Sequence, residues 1–327
     1  MAIVGVVIAL VSPIGGYLLA GRTTRILAKM IHKTERLRPS ELNERLPIRG
    51  TGDELDALAR TINGLLDRIG DYLKQRHDFL ANAAHELRTP LAAIRSSVEV
   101  ALGGERSEAE YRELLDEVIS ECGSLQALVN QLLLLAESDA DRLMVNSEAF
   151  SFDDLVRRSA EMFLGVAEFR GLRLVVDPLP AAPVVGNRHH LRQVLNNLLD
   201  NAIKFTAARH DAAAGQPEAG EIRIRLVRDD ELGEIRLSLA DNGQGIEAEH
   251  LPHVFDRFYR ADRARTRDGS PGGTGLGLSI CQAIVAAHQG TIQVASEFGH
   301  GTTFTVTLPL ARVEGAATSE SLAAAAG

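Results

Sequence analysis

Residues 79–94 read FLANAAHELRTPLAAI. Here His85 is followed at once by Glu86, and then by Arg88, Thr89 and Pro90. Apolar residues run through the stretch in alternating steps of three and four: Leu80, Ala84, Leu87, Leu91, Ile94, Val98 and Ala101. That spacing predicts a helix whose seam needs a partner helix. His85 lies beside the seam, where its imidazole reaches solvent, and Thr89 is one turn further on the same face. Pro90 removes a backbone N–H, so a bend is expected just past the histidine. Gly103 and Gly104 break the helix near Leu102. A second helix is predicted from Ser107 to Ser138, with a seam of Leu115, Val118, Cys122, Leu125, Val129, Leu132 and Ala136, widened by Leu114, Leu128 and Leu133. A hairpin with two broad apolar faces is poorly satisfied alone. Pairing two hairpins into a four-helix bundle resolves this, so a homodimer is expected.

A chain of 327 residues can hold two or three modules. Its net charge of −9 argues against a nucleic-acid surface. Cys122 and Cys281 have neither metal-ligand spacing nor a disulfide framework, which suits a reducing compartment. Residues 1–20 carry no charged side chain, and about 20 apolar residues span a bilayer core. Six basic residues (Arg22, Arg25, Lys29, Lys33, Arg36 and Arg38) follow against one acid, Glu35, so everything after Ala20 is expected in the cytoplasm. A signal peptide is the competing reading, but the run is long and its basic residues come after it. With no earlier span and no extracellular domain before it, the chain is expected either to lack a sensor region or to sense within the membrane.

Residues 16–71 read as helix, loop, helix. The first helix runs to about Leu37, the connector holds Pro39, Pro47, Gly50 and Gly52, and the second helix begins at Asp53 with Leu55, Leu58, Ile62, Leu65 and Ile69 on one side. Beyond Phe150 the period changes. Strands are predicted at Ile222–Val227, Ile235–Leu239, Thr291–Ala295 and Thr303–Leu308, and helices at Phe152–Phe169, Arg188–Phe205 and Leu276–His288. This is an α+β layer with helices on one face of a mixed sheet. Residues 207–220, AARHDAAAGQPEAG, read as a long loop, and the alanine-rich tail 313–327 as disordered.

On the Arg188–Phe205 helix, Leu191, Leu195, Leu198 and Ala202 share one face, while Gln193, Asn197, Asn201 and Lys204 share the other. Two carboxamides at i and i+4 beside a lysine suit magnesium and phosphate, because Mg²⁺ takes few protein oxygens. A solvated polar face is the plainer alternative. DNGQGI (241–246) follows a predicted strand, and its glycines permit close backbone approach. GTGLGLSI (273–280) opens a helix whose free N–H groups suit phosphate oxygens. Neither a dinucleotide fingerprint nor a P-loop occurs, which excludes a P-loop kinase.

Together with QVLNNLLDNAIKF (193–205) and FDRFY (255–259), these strings resemble, in order, the H, N, G1, F and G2 boxes of the sensor histidine kinases. Residues 16–71 resemble a HAMP linker, although Ile26 follows Arg25 where the family often has proline; a plain coiled-coil spacer is the alternative. The resemblance implies a transmembrane helix (1–20), a parallel helical HAMP linker (16–71), a dimeric hairpin carrying the phospho-acceptor (72–144) and an ATP-binding α+β sandwich (145–312). It implies that His85 takes the γ-phosphoryl of Mg²⁺-ATP, with Glu86 as general base and Thr89 serving a phosphatase reaction. Asn201 is then the metal ligand, Lys204 a phosphate contact, Asn197 its support and Asp241 the reader of the adenine amine. Gly243, Gly245, Gly273, Gly275, Leu276 and Gly277 line the nucleotide. Arg257, Arg260, Arg263, Arg265 and Arg267 lie in a lid, from which Arg260 reaches a phosphate. The implied partner is a separate response regulator, and the implied place is a bacterial inner membrane with the catalytic region in the cytoplasm. An ATPase of the gyrase, chaperone or mismatch-repair type and an inactive membrane scaffold are the rivals; the His85 hairpin argues against the first and the intact boxes against the second.

Overall fold

The computed structural model describes residues 44–48, 50, 52–139, 143, 147–212, 220–261 and 273–311. The expected span at 1–20, the first linker helix, Arg263, Arg265, Arg267 and the tail 313–327 lie outside the described residues. The chain forms two compact units, 1–82 and 83–327.

In the first unit, helix α1 (Glu54–Leu102) begins one residue later than expected. Asp53 is instead its cap, its Oδ1 accepting from the Asp56 N–H at 3.0 Å. The connector is strapped to the helix by Asn63, whose carboxamide accepts from the Leu46 N–H (2.8 Å) and donates to the Leu46 carbonyl (3.0 Å). Leu46 is thereby buried with Ala59 and Ile62.

In the second unit, α1 continues unbroken through Pro90 to Leu102. The proline leaves the Glu86 carbonyl without its helical donor, and the helix absorbs that loss. Helix α2 (Glu108–Asp139) starts with a capping box. The Ser107 N–H donates to Glu110 Oε2 (2.8 Å) and the Glu110 N–H to Ser107 Oγ (3.3 Å). Ser97 Oγ joins the two helices by donating to Glu117 Oε2 at 2.9 Å. Among the described residues, Glu108–Ser138 is the helix long and apolar enough to cross a membrane, yet it is one arm of this hairpin. The predicted seams are mostly uncovered: Leu80, Leu91, Val98, Leu115, Val129 and Leu133 are exposed, and so is Cys122. Leu128, Leu134 and Leu135 are buried towards the end of α2, which packs on a helix of the α+β layer.

That layer runs β1 (Glu148–Ser151), α3 (Phe152–Phe169), β2 (Arg173–Val176), β3 (Pro183–Gly186), α4 (Arg188–Ala212), β4 (Glu221–Asp229), β5 (Glu234–Asp241), α5 (Gly277–Ala287), β6 (Thr291–Glu297) and β7 (Gly301–Pro309). A five-stranded sheet has the order β2-β4-β5-β7-β6, with β2 parallel to β4 and the other pairs antiparallel. β1 and β3 form a separate antiparallel pair. Alternation sets the two faces. Ile222, Ile224, Leu226, Ile235, Leu237, Leu239, Phe304, Val306 and Leu308 are buried, and α4 and α5 pack against the strands that carry them. On β4 the alternate residues Arg223 and Arg225 meet Asp177 at 3.1 and 2.9 Å.

The four predicted strands lie within longer observed ones. The strands β1, β2 and β3, of four residues each, were not among the predicted elements, being too short to show a period. The loop predicted over 207–220 is also corrected, since α4 continues to Ala212. Alanine is the strongest helix former. Ala207 is buried, and Arg209 Nη1 ties this extra turn to the Asn242 carbonyl at 2.6 Å.

His288 closes the end of α5 from inside the core. Its Nδ1 faces the Ile284 carbonyl (2.7 Å) and so carries the proton, while Nε2 accepts from the Asn187 N–H (2.9 Å). Burial lowers its pKa below the ordinary histidine value, with the hydrogen bond to Ile284 opposing and nearby His190 adding to the fall. A group whose folded pKa is depressed loses its contribution as pH falls, here from about 6.5 downwards. Between pH 7.5 and 5.5 this histidine should therefore pull the urea midpoint of the wild type down relative to that of a variant without it. His288→Gln, less stable at both values, should lack that pull; an equal change in both proteins would refute the assignment.

Candidate functional site

Helix α4 has two faces set by its sequence. Leu191, Val194, Leu195, Leu198, Leu199, Ala202 and Ile203 are buried. Gln193, Asn197, Asn201 and Lys204 are half-buried, so this face is not the freely solvated one of the plainer alternative. Other segments lie over it. Asn197 Nδ2 donates to the Gly277 carbonyl at 3.2 Å. Lys204 Nζ lies 3.9 Å from where a Cβ on Gly273 would stand. A Cβ on Gly243 would meet the Phe205 main chain at 3.0 Å. Arg209 Nη1 also donates to the Gly243 carbonyl, at 3.3 Å. Asn197, Lys204, Gly243, Gly273 and Gly277 thus converge from three segments far apart in sequence.

Two cations meet on this face. Burial lowers the pKa of Lys204, Asp200 opposes that shift, and the charge of Arg260 adds to it, so the two cations share one neighbourhood. Lys204 Nζ also stands 5.6 Å from the centre of the Phe205 ring. Asn201 makes no hydrogen bond to the described residues, although half-buried. Its carboxamide oxygen is the kind of hard donor that magnesium accepts, so the residues present fit the metal.

Asp241 ends β5. Its Oδ1 accepts from the N–H groups of Gly243 (2.9 Å) and Thr302 (3.2 Å), which leaves Oδ2 available as an acceptor. Burial pushes its pKa up to about 6. Its linkage runs opposite to that of His288: the stability it contributes is present at low pH and lost as pH rises through about 6. At neutral pH the fold therefore holds an ionised carboxylate here at some cost, as functional sites often do.

The glycines divide into two kinds. Gly245 (φ +72°) and Gly275 (φ +73°) take left-handed backbone. A Cβ would stand 2.1 Å from the Glu297 carbonyl oxygen at Gly245, and 2.8 Å from the Phe258 main chain at Gly275. These two seat their loops against other protein segments. Only site side chains come near Gly273 and Gly277. Leu276 is fully buried, so its side chain belongs to the core and only its main chain can face a ligand.

His85 is exposed, and Glu86 is half-buried. Neither side chain makes a hydrogen bond among the described residues, so the carboxylate is not brought onto the imidazole. Thr89 is exposed, and its Oγ1 donates to the His85 carbonyl at 3.4 Å, leaving its lone pairs outward. No hydrogen bond joins His85 to the α4 face. The hairpin does reach that region through Gln131 on α2, whose Oε1 accepts from Thr274 Oγ1 at 3.0 Å. Gln131, Arg209 and Thr302 escaped the sequence reading. Only Arg209 carried a signal, five residues beyond Lys204, and it was hidden by the loop reading.

Residues 75–141 match the His Kinase A (phospho-acceptor) domain, and residues 186–312 the histidine kinase-, DNA gyrase B- and HSP90-like ATPase family. Residues 18–71 match the HAMP domain. The sensor histidine kinase CusS of Escherichia coli K12 is 35% identical over 271 residues, 82% of this chain and 53% of that protein. The chain belongs to the two-component sensor histidine kinases. Another sensor histidine kinase relative, the sensor protein SrrB of Staphylococcus aureus MRSA252, is 37% identical over 72% of this chain and 38% of its own length. The chain thus spans about half the length of such curated relatives or less. Among solved structures, the histidine kinase AdeS of Acinetobacter baumannii superposes with a TM-score of 0.53 at 27% identity, over 69% of this chain and 98% of that one. Full-length ShkA, solved in complex with AMPPNP, gives 0.51 at 25% identity, over 72% of this chain and 46% of that one.

The division among glycines gives a sharp contrast in this sensor histidine kinase. Gly245→Ala combines positive φ with a main-chain clash and should lower the melting temperature by roughly 10 °C or more, a loss of a few kcal/mol. Gly273→Ala makes only ordinary contact and should leave melting within about 2 °C, within the range of a surface change. Thermal unfolding followed by circular dichroism decides it, and similar shifts in both variants would contradict the geometry.

Proposed function

We propose that this chain is a membrane-bound, homodimeric kinase that moves the γ-phosphoryl of ATP to His85 and passes it to an aspartate of a separate response regulator. The observation that carries the reading is the convergence of Asn197, Asn201, Lys204, Gly273 and Gly277 on one half-buried face of α4, with Asp241 held beside it by Gly243. The likeness to ShkA, solved with AMPPNP, supports a nucleotide on that face. The exposed Leu80, Leu91, Leu115 and Leu133 of the hairpin support a second copy as its partner. The uncharged run 1–20, its basic flank and the HAMP match support a membrane anchor, with the domains divided at about 71, 144 and 312.

In this reading Asp241 Oδ2 accepts from the adenine amine, which requires the ionised form. Lys204 and Arg260 neutralise phosphate oxygens, and Asn197 braces the Gly277 turn through its bond to the Gly277 carbonyl. The main-chain N–H groups at the start of α5, near Gly277, face the phosphates. The Asn201 carboxamide oxygen would hold magnesium, which when bound would supply further neutralisation of phosphate charge. A ring nitrogen of His85 attacks the γ-phosphorus as its bond to the bridging oxygen breaks and ADP leaves. Glu86 orients the imidazole and receives its proton. Exposure of His85 suits an acceptor that must meet first the nucleotide and then a receiver aspartate.

His85→Gln should abolish autophosphorylation while leaving ATP binding intact, and Asn201→Ala should lose kinase activity while melting like the wild type. Acid-labile label persisting on His85→Gln, or normal rates in Asn201→Ala, would remove these roles.

Thr89 points to a reverse reaction. Its hydroxyl proton is engaged by the His85 carbonyl, and its lone pairs are free to orient a water against a regulator's aspartyl phosphate. The forward transfer needs no water. Thr89→Ala should keep autophosphorylation within a few-fold and slow regulator dephosphorylation by roughly 10-fold or more. If Thr89 only shapes the helix before Pro90, both rates will fall together in the same purified variant.

A further inference from the structure

Helices α3 and α4 pack together, and a cavity of about 650 Å³ opens on their outer side. Leu155, Arg158, Ser159 and Met162 line it from α3, and Arg188 and Arg192 from α4. It is separate from the face described above. At about 100° per residue, Arg188 and Arg192 lie about 120° to 180° around α4 from Asn197, Asn201 and Lys204.

Two observations mark it as built for a ligand. Ser159 is 2% exposed, and its hydroxyl has no hydrogen-bond partner among the described residues, a costly state for a buried polar group. The arginines are also short of anions. Asp154 Oδ2 is shared by Arg158 Nη2 (3.0 Å) and Arg188 Nη2 (3.7 Å), and the same carboxylate is approached by Arg157 at 3.9 Å. Arg192 Nη2 has only the ring nitrogen of His189, at 3.1 Å. Glu161 adds one carboxylate to the lining. Three lining guanidiniums against Glu161 and Asp154 leave a positive excess, on a protein whose net charge is −9.

We propose that this groove binds a small organophosphate. Its phosphate lies on Arg158, Arg188 and Arg192, whose planar forks match phosphate oxygens. Its apolar body lies on Leu155 and Met162, and the Ser159 hydroxyl donates to it. The volume falls in the range of single small-molecule sites, about 300–1,000 Å³. The ligand is a free molecule and not a membrane surface.

The test is isothermal titration of the purified full chain with phenyl phosphate and, separately, with inorganic phosphate. Phenyl phosphate should bind, and inorganic phosphate should bind at least about tenfold more weakly for want of apolar burial. The exposed pair Arg188→Gln/Arg192→Gln should weaken phenyl phosphate about tenfold or more. Arg95→Gln, an exposed arginine of the hairpin, should leave it unchanged. Ser159→Ala should weaken it a few-fold while raising the melting temperature of the unliganded chain, because an unpartnered hydroxyl is removed. No binding, equal binding of the two phosphates, or equal weakening by Arg95→Gln and by the double arginine variant would overturn the proposal. So would a lowered melting temperature in Ser159→Ala. Co-sedimentation with phosphatidylglycerol vesicles that is lost in the double arginine variant would overturn it in favour of a lipid surface.

Discussion

The burial of one face of α4 is the constraint on which the rest of the second unit depends. Leu191, Leu195, Leu198 and Leu199 are each at most 2% exposed, and a fully buried leucine is worth about 1.5–3 kcal/mol. Those contacts fix the rotation of the helix about its axis. Rotation in turn decides that Asn197, Asn201 and Lys204 emerge together on the other side. A slip of one residue would move each side chain by about 100° and scatter the polar set. The chemistry of the site is therefore held by apolar packing on the sheet, and the polar residues need contribute little to stability themselves.

The same economy governs the loops that meet α4. Gly245 and Gly275 allow main chain to rest on main chain, so the segments bearing Asp241 and Gly273 are set by contacts with Glu297 and Phe258. Asp241 is then fixed through two N–H groups on one of its oxygens, leaving the other available as an acceptor. Desolvation raises its pKa to about 6, which is still below neutrality, so the ionised form predominates at pH 7.

Much of this was legible in the sequence because its period was strong. The two hairpin helices, α3, α5 and the four long strands showed their buried faces over many residues, and the expected ends fell within a few residues of the observed ones. The polar face of α4 was legible for the same reason. The short strands β1, β2 and β3 were not, since four residues cannot display a pattern and their pairing is set by tertiary contact. The turn 207–212 was misread because Ala, Arg, His and Asp were weighed as small and polar, when Arg209 is held by two carbonyls of the loop after β5. The glycines were grouped by motif, whereas backbone φ and neighbour distances separate those that seat a loop from those that lie against the side chains of Asn197 and Lys204. Contacts such as Gln131 with Thr274 span 143 positions and leave no local trace.

The hairpin stands in a different energetic position from the α+β layer. Its helices keep Leu80, Leu91, Leu115 and Leu133 exposed, each at more than half of its possible surface, so as a single chain it is the less satisfied part of the second unit. Its ties to itself are few and polar: the Ser107–Glu110 capping box and the Ser97–Glu117 bond. Its tie to the layer runs through α2 to α5, ending at Thr274 in the same glycine segment that carries Gly273. A shift of α2 would thus be felt first at the loop that fronts Lys204. His85, on the other arm and free of any hydrogen bond to the α4 face, would be left to solvent. His85 and Gln131, the loop's partner, thus sit on opposite arms of one hairpin, so movement between those arms changes how far His85 stands from that loop.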